Sequence, residues 1–197
     1  MTAAHASLAQ PEQPTGNDIL AYLQDRRSDF VDFLEELTRV ESPSLVPDTQ
    51  GRARTVIADR LQGNGFRTLD LTGETHGGNL YARPQDRTRA QPVQLLIGHY
   101  DTVWPLGTID DMPFEVDGNV VRGPGVYDMK GGITQIIFAL EALTHFGATL
   151  SVTPVVFANS DEEIGSREST HHIRRLARRA CRAFVLEPSL GRDGKLK

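Results

Sequence analysis

Apolar positions along this chain follow two spacings, one typical of helices and the other typical of strands. Between residues 17 and 41 they recur every three or four residues, which predicts a helix with Asn17 as its N-cap that ends before Ser42-Pro43. Further helices are predicted over 49–62, 133–146 and 169–179. Short apolar runs bounded by glycine, proline or polar residues predict strands at 66–71, 79–83, 93–97, 152–158 and 182–186.

The order of these elements predicts the fold class. Alternating strands and helices are typical of an α/β domain with a mostly parallel central sheet. A hairpin is predicted around Asp117-Gly118-Asn119, the glycine-rich stretch 123–132 is expected to be irregular, and residues 1–15 are expected to be disordered. In open α/β sheets the functional site lies beyond the carboxyl ends of the strands. The residues that follow each strand are therefore the first candidates for chemistry.

Composition and charge narrow the class of protein. The 197 residues are 39% hydrophobic and 24% charged, as in an ordinary globular domain, and the formal net charge is −5. This acidity argues against nucleic acid as the main partner, because phosphate binding needs a net basic face. A single cysteine, Cys181, excludes an internal disulfide framework, and no apolar run approaches membrane-spanning length. The N-terminus has no signal-peptide pattern, so a cytoplasmic protein without a membrane partner is expected.

A basic stretch near the end of the chain is the feature that most resembles a nucleic-acid site. On the predicted helix these arginines lie on a different side from Ile173, Leu176 and Ala180, so a solvated helix face is favoured. The arginines are Arg174, Arg175, Arg178, Arg179 and Arg182.

Acidic residues and one histidine follow three of the predicted strands or lie in the glycine-rich stretch. Carboxylate and imidazole groups without a thiolate suit a hydrolytic zinc, cobalt or manganese site. Glycines around Asp128 let the backbone turn sharply, and a carboxylate placed there can bridge two ions. The candidates are His99 and Asp101 after the strand at 93–97, Asp128, Glu162 and Glu163 after the strand at 152–158, and Glu187 after the strand at 182–186.

Two adjacent pairs suggest a division of labour among these candidates. In a His-x-Asp pair, His99 would take the ion and Asp101 would hold the tautomer and angle of the imidazole. Glu162 and Glu163 follow one another in a segment expected to be extended, where neighbouring side chains point in opposite directions. One of them would then bind the ion while the other faces the reacting water.

Each candidate also has an ordinary structural explanation. Asp128 precedes a predicted helix and could be its N-cap. The run Asp161-Glu162-Glu163 could be a solvated acidic turn, and Glu187, which precedes a proline, could be a surface residue. Their joint occurrence after successive strands favours the metal site. The other histidines lack such partners and are expected to be solvent-exposed or structural: His5, His76, His145, His171 and His172.

Four segments taken together resemble a known family, the dinuclear zinc exopeptidases and deacylases. This family includes glutamate carboxypeptidase, aminoacylase, acetylornithine deacetylase and succinyl-diaminopimelate desuccinylase. The resemblance runs from about Asp18 to the end of the chain, and the neighbourhood of Tyr100 and Trp104-Pro105 is most similar to the glutamate carboxypeptidase branch. The segments are Gly98-His99-Tyr100-Asp101-Thr102-Val103, Gly123-Pro124-Gly125-Val126-Tyr127-Asp128-Met129-Lys130-Gly131-Gly132, Ser160-Asp161-Glu162-Glu163-Ile164-Gly165-Ser166 and Leu186-Glu187-Pro188-Ser189.

The resemblance implies a fold and a set of metal ligands. The fold would be the three-layer α/β/α catalytic domain of zinc exopeptidases, and the cofactors would be two divalent metal ions, zinc first, with cobalt or manganese as alternatives. His99 and Glu187 would bind the first ion. Asp128 would bridge the two ions, and Glu163 would bind the second.

The resemblance also implies a reaction. Asp101 would support His99, and Glu162 would be the general base that takes a proton from water and returns it to the leaving amine. The substrate would be a small peptide or an N-acyl amino acid, cleaved at an amide next to a free carboxylate such as that of a C-terminal glutamate. A serine or cysteine nucleophile has no support, since neither Ser160 nor Cys181 lies in a matching motif.

Relatives of this kind are considerably longer than 197 residues. After the Glu-Pro-Ser segment they continue into a domain used for dimerisation and as a lid, and they later supply a histidine to the second ion. Residues 16–197 are therefore expected to be a truncated N-terminal portion of the catalytic domain, with an exposed sheet edge. The alternative function is a catalytically inactive fragment, at most a metal-binding or interaction module, whereas full-length relatives are expected to be homodimers.

Overall fold

The computed structural model describes residues 13–191, in which three helices and three strands are followed by shorter helices and strands in mixed order. None of the helices in this range combines the length and the apolar character needed to cross a membrane. The helices are α1 (Gly16–Asp25), α2 (Arg27–Arg39), α3 (Pro47–Gly63), α4 (Thr108–Asp111), α5 (Gly131–His145) and α6 (Ser169–Ala177). The strands are β1 (Phe66–Leu71), β2 (Asn79–Pro84), β3 (Val93–His99), β4 (Glu115–Asp117), β5 (Val120–Arg122), β6 (Thr153–Asn159) and β7 (Ala180–Val185).

Five of the strands form one sheet in the order β1-β2-β6-β3-β7. β1, β6, β3 and β7 run in one direction and β2 runs in the other, which confirms the predicted mostly parallel sheet. β4 and β5 pair separately as the predicted hairpin. β7 lies at an edge of the sheet, where Phe184 and Val185 are about half exposed.

Helices cover both faces of this sheet. Alternate residues of a strand point to opposite faces, so Leu96 and Val156 lie in a core with residues of α2, α3 and α5. Leu95, Val155 and Phe157 point the other way and pack against α6. The result is a three-layer α/β/α arrangement.

The same packing confirms the amphipathic character of α6, in which Ile173 and Leu176 are partly buried and Arg174 and Arg175 are exposed. The helix ends before Ala180 and Arg182, which lie in β7 instead.

The first predicted helix is wrong in two respects. It divides at Arg26 into α1 and α2, although the apolar spacing continues across the break. Its N-cap is Thr15 rather than Asn17, because Thr15 and Asp18 form a reciprocal capping box. Asn17 therefore lies inside the first turn of α1.

Most other boundaries differ from the sequence predictions by a few residues. β3 continues beyond residue 97 to His99, because His99 still pairs with Asn159 of β6. α3 begins at Pro47, where a missing backbone N–H costs nothing. The prediction of disorder over residues 1–15 lies almost wholly outside the described residues, and residues 13–15 precede α1 without regular structure.

The N-terminus of α5 packs directly against the chain that leaves β7. A Cβ atom added at Gly132 would lie 2.0 Å from the carbonyl oxygen of Leu186, the residue before Glu187. Backbone contact of this kind cannot be relieved by rotating a side chain. Gly132 is therefore needed for α5 and the end of β7 to approach each other.

Substitution of this glycine gives a test of the packing. We expect Gly132→Ala to lower the free energy of unfolding by about 2–3 kcal/mol, because the added methyl group must push α5 and Leu186 apart. The matched control is Gly51→Ala inside α3, where an added Cβ meets nothing within 4 Å. That variant should gain about 0.5–1 kcal/mol. Equal effects of both substitutions in urea denaturation would contradict the packing described.

Candidate metal centre

The candidate site lies where the carboxyl ends of three parallel strands meet. β6, β3 and β7 are neighbours in the sheet and point the same way, so the residues that follow them share one edge. His99 ends β3, and Glu187 follows shortly after β7. Glu162 and Glu163 lie in the turn that follows β6. The structure thus brings together residues that the sequence places up to 88 positions apart.

The imidazole of His99 lies among these carboxylates. Its Nε2 atom is 3.1 Å from Asp128 Oδ1, 3.4 Å from Glu187 Oε1 and 3.8 Å from Glu162 Oε2. Two groups of possible ligand atoms, each within 4.8 Å of one another, result: His99 with Asp128 and Glu163, and His99 with Glu162 and Glu187. The predicted ligands and the predicted base therefore share one small volume around a single imidazole.

The backbone after β3 holds the ring of His99. His99 Nδ1 lies 3.0 Å from the carbonyl oxygen of Asp101, whereas the Asp101 carboxylate is 3.4 Å away. With Nδ1 donating to that carbonyl, Nε2 lies on the side of the carboxylates, where it donates to Asp128 Oδ1 while the ring is protonated and can bind an ion once that proton is lost. The closest support for the ring thus comes from the backbone of Asp101 rather than from its side chain.

The Asp101 carboxylate is fully buried and fixes the neighbouring turn. It accepts hydrogen bonds from Ser44 Oγ at 2.7 Å and from the backbone N–H groups of Glu162 at 3.3 Å and Glu163 at 3.2 Å. A buried carboxylate is tolerable only with such partners. Asp101 therefore sets where both glutamates lie relative to His99.

The expectation that Glu162 and Glu163 lie in an extended segment is wrong. Residues 162–165 form a turn in which the N–H of Gly165 donates to the carbonyl of Glu162 at 2.8 Å. A turn does not send neighbouring side chains to opposite sides, so both carboxylates reach groups that contain His99. If one glutamate binds the ion and the other acts as the base, the difference must come from where each carboxylate lies relative to His99.

The structure also tests the ordinary explanations of the acidic residues. Asp128 does not cap α5, since Lys130 occupies the N-cap position and makes no side-chain cap. Asp161 is buried, and it accepts hydrogen bonds from the backbone N–H groups of Glu168 and Ser169 at the start of α6. The acidic run is therefore not a solvated turn throughout, and the side chain of Glu187 is only 24% exposed.

The charges of the cluster favour a cation. Burial opposes protonation of His99, but Asp101 and Glu187 outweigh it and raise the pKa of the imidazole to about 9. Burial raises the pKa of Glu163 to about 6, His99 opposes this shift, and the neighbouring carboxylates add to it. Both shifts indicate an excess of negative charge that a bound cation would relieve.

Several residues of the site environment were not found by sequence reasoning. Ser44 binds Asp101, and Met129 Sδ accepts the backbone N–H of His99 at 3.2 Å. His76, expected to be exposed or structural, is buried with Nδ1 2.8 Å from Ser160 Oγ. Gln50 links the carbonyls of Pro43 and Ser160. Ser44, His76 and Gln50 come from segments distant in sequence, and an isolated serine, glutamine or histidine carries no local signal of such contacts.

An α/β/α fold with an imidazole and several carboxylates at the carboxyl edge of its sheet defines a class of metal-dependent enzymes. Residues 95–197, more than half of the chain, match the Peptidase family M20/M25/M40, and the chain belongs to this family. This result confirms the family resemblance that the four segments indicated. Metallopeptidases of this family use divalent metals, in agreement with the candidate ligands around His99.

Individual proteins agree with this assignment. The chain is 29% identical to carboxypeptidase G2 of a Pseudomonas species over 186 residues, which cover 93% of this chain and 44% of that protein. It is 35% identical to succinyl-diaminopimelate desuccinylase of Gluconacetobacter diazotrophicus over 131 residues, 63% of this chain and 33% of that protein. The fold matches human carnosine dipeptidase 1 with a TM-score of 0.74 and 20% identity, over 87% of this chain and 41% of that one. The chain thus spans less than half the length of these proteins.

The raised pKa of His99 predicts how the stability of the metal-free chain depends on pH. Because the folded-state pKa of about 9 exceeds the ordinary value of 6.5, His99 contributes stability that is fully present below pH 6.5 and is lost as pH rises to about 9. The contribution is at most about 3 kcal/mol. His99→Gln, measured beside the parent by urea denaturation with a chelator present, should lose this dependence.

The comparison with His99→Gln is needed because the titration of Lys130 changes the stability with pH in the direction opposite to that of His99. Burial lowers the pKa of Lys130 to about 7, although Glu41 opposes the shift. The unfavourable contribution of Lys130 to the free energy of unfolding therefore diminishes as pH rises from about 7 to 10.5. The difference between parent and His99→Gln removes this contribution. A difference that stays constant from pH 6 to pH 9 would contradict the electrostatic description of the cluster.

Proposed function

We propose that this chain is the metal-binding part of a hydrolase that cleaves an amide bond next to a free carboxylate. The observation that carries the proposal is the imidazole of His99 surrounded by carboxylates at the carboxyl edge of the sheet. Membership of a peptidase family supports the reaction class. The sequence expectation that residues 16–197 are an N-terminal portion of the catalytic domain stays a prediction.

The residues present fit a divalent metal ion. Oxygen donors with one imidazole are the ligands of hydrolytic zinc, cobalt and manganese sites, and the charge of the cluster calls for a cation. We assign His99, Asp128, Glu163 and Glu187 as the ligands of up to two ions, with zinc as the first choice. Such an ion, when bound, lowers the pKa of water and polarises the amide carbonyl of the substrate.

The chain's own side chains supply the remaining steps. Glu162 is about half exposed, and its Oε2 lies 3.8 Å from His99 Nε2, so its carboxylate faces the space between the ligands and solvent. There it would take a proton from the attacking water and return it to the nitrogen of the leaving amine. Asp101 keeps Glu162 in place through the backbone hydrogen bond at 3.3 Å.

We propose a short peptide or an N-acyl amino acid with a free carboxylate as the substrate, a C-terminal glutamate being one example. Support comes from the relatives: one is named a carboxypeptidase and one a desuccinylase. A cytoplasmic location, homodimers among full-length relatives, and the absence of nucleic-acid or membrane partners stay proposals. The net charge of −5 supports the exclusion of nucleic acid.

One observation favours a second candidate, an inactive module that binds metal. Both candidate ligand groups use the same imidazole, so the described residues offer one histidine for two ions. A chain that holds about one ion instead of two would bind metal without efficient turnover. Metal analysis of the protein after dialysis against zinc measures this number directly.

Replacement of the proposed base tests the hydrolase. The zinc-loaded 197-residue chain should hydrolyse N-acyl glutamates slowly, because the cluster has only one imidazole. Glu162→Gln should lower that rate by about 100-fold to 10,000-fold while zinc stays bound, since the amide cannot accept the proton. Glu36→Gln, on the exposed side of α2, is the matched control and should behave as the parent.

The outcome separates the two candidates. A zinc-dependent rate that is the same in the parent and in Glu162→Gln would contradict the proposed mechanism. The absence of any zinc-dependent rate in a chain that binds one ion would favour the inactive module. Efficient turnover by the parent chain would exclude that module.

A further inference from the structure

Asp128 lies in a short turn that follows Gly125 and is followed by two buried residues, Met129 and Lys130. Gly125, with φ of +72°, precedes the turn Val126–Lys130, in which Asp128 has a non-helical backbone with φ −123° and ψ 104°. Its carboxylate is about half exposed at the site. Met129 and Lys130, which follow it, are almost completely buried. The side chain of Asp128 therefore faces the metal centre, whereas the next two side chains face the protein interior.

Met129 fixes the turn to β3. Its Sδ atom accepts the backbone N–H of His99, and its methyl group lies in the space that side chains at Gly98 and Gly132 would fill. This contact connects the backbone of the histidine with the residue next to Asp128. On the side of the turn away from β3, the contacts are made by Lys130.

Lys130 fixes the turn to the end of α2. Its ammonium group donates hydrogen bonds to the carbonyl oxygens of Leu37 at 3.0 Å and Val40 at 2.9 Å, in the last turn and at the C-cap of that helix. Carbonyl groups at a helix C-terminus lack partners within the helix and favour a cation. The aliphatic part of Lys130 passes beside Gly125, the residue that precedes the turn.

The backbone of Lys130 also forms hydrogen bonds that hold the turn. The N–H of Lys130 donates to the carbonyl of Gly125 at 3.0 Å, and Thr134 Oγ donates to the carbonyl of Lys130 at 2.9 Å. Lys130 therefore joins the turn, the start of α5 and the end of α2. A buried lysine is costly. The two carbonyl groups that Lys130 satisfies at the end of α2 offset part of that cost, and a methionine of similar length would fill the space but remove both hydrogen bonds.

We propose that Lys130 is a positioning residue that holds the carboxylate of Asp128 at the distance from His99 needed to bind a cation. The inference rests on the metal centre proposed above. Lys130 makes no contact with the ligands in the described structure and acts through the turn that carries Asp128. Loss of its two hydrogen bonds frees the turn from α2 while the ligands themselves remain.

The test compares Lys130→Met with the parent in the binding of zinc or cobalt, measured by calorimetric titration of the folded chain. Lys130→Met should weaken the affinity by about 10-fold to 100-fold, the range found when groups that support metal ligands are removed. Lys130→Arg, which keeps a cation with several donors, should restore most of the affinity. Asp128→Asn should weaken binding at least as strongly as Lys130→Met.

The matched control is Thr153→Val at the start of β6, which removes a hydrogen bond of another buried side chain, to Gln91 Oε1, at the end of the strands opposite the metal centre. A purely structural role would lower the urea midpoint of both variants and leave the metal affinity of the folded chains unchanged. Parent-like affinity in folded Lys130→Met would therefore overturn the inference. If Lys130→Met does not fold, Lys130→Arg with an affinity as low as that of Asp128→Asn and an intact fold would overturn it too.

Hydrogen exchange in the metal-free chain separates this inference from the proposed function. The amides of Lys130 and Gly131, which close the turn, should exchange at least about 10-fold faster in Lys130→Met, whereas those of β3 and β6 should not change. Failure of the parent to bind any divalent ion would contradict the metal centre. Unchanged exchange in the turn would contradict the positioning role of Lys130, whatever the metal result.

Discussion

The candidate site depends on the buried carboxylate of Asp101. Three donors from two other parts of the chain converge on it: the hydroxyl of Ser44, before α3, and the backbone N–H groups of Glu162 and Glu163, after β6. Its own carbonyl oxygen accepts from His99. A carboxylate removed from water needs all such partners, so the arrangement permits little displacement of any of them. One residue thus fixes the histidine and both glutamates relative to one another.

The strand directions make this convergence possible. β6, β3 and β7 lie side by side and run in parallel, so each delivers its following residues to the same edge. The close approach of α5 to the end of β7, permitted by Gly132, then places Glu187 beside the others. Among these candidates Asp128 alone does not follow a strand of this sheet, and the turn that carries it is held by Met129 and Lys130.

The sequence allowed the strands and most helices to be predicted, because periodicity is a local signal, and acidic residues after apolar runs indicated the six candidates that the structure brings together around His99. It did not predict the break at Arg26, since the apolar spacing continues across it. It also did not show that Ser44 and the glutamate turn bind Asp101, because these partners lie 57 to 62 residues away. The local shape of the turn at 162–165 followed from those distant hydrogen bonds.

Charge connects the structure with the proposed chemistry. The carboxylates around His99 raise the pKa of the imidazole to about 9 and so act as a site for positive charge. Lys130 lies behind the Asp128 turn, where its amino group donates hydrogen bonds to the end of α2. A divalent ion in front of the turn would neutralise the carboxylates, with oxygen atoms and one imidazole as its ligands.

X-ray absorption at the zinc edge of the zinc-loaded chain tests this central claim most directly. The account predicts a nearest shell of oxygen and nitrogen atoms at about 2.0–2.1 Å, with the outer scattering of one imidazole that disappears in His99→Gln. A sulfur shell at about 2.3 Å, or a spectrum without an imidazole contribution, would contradict it.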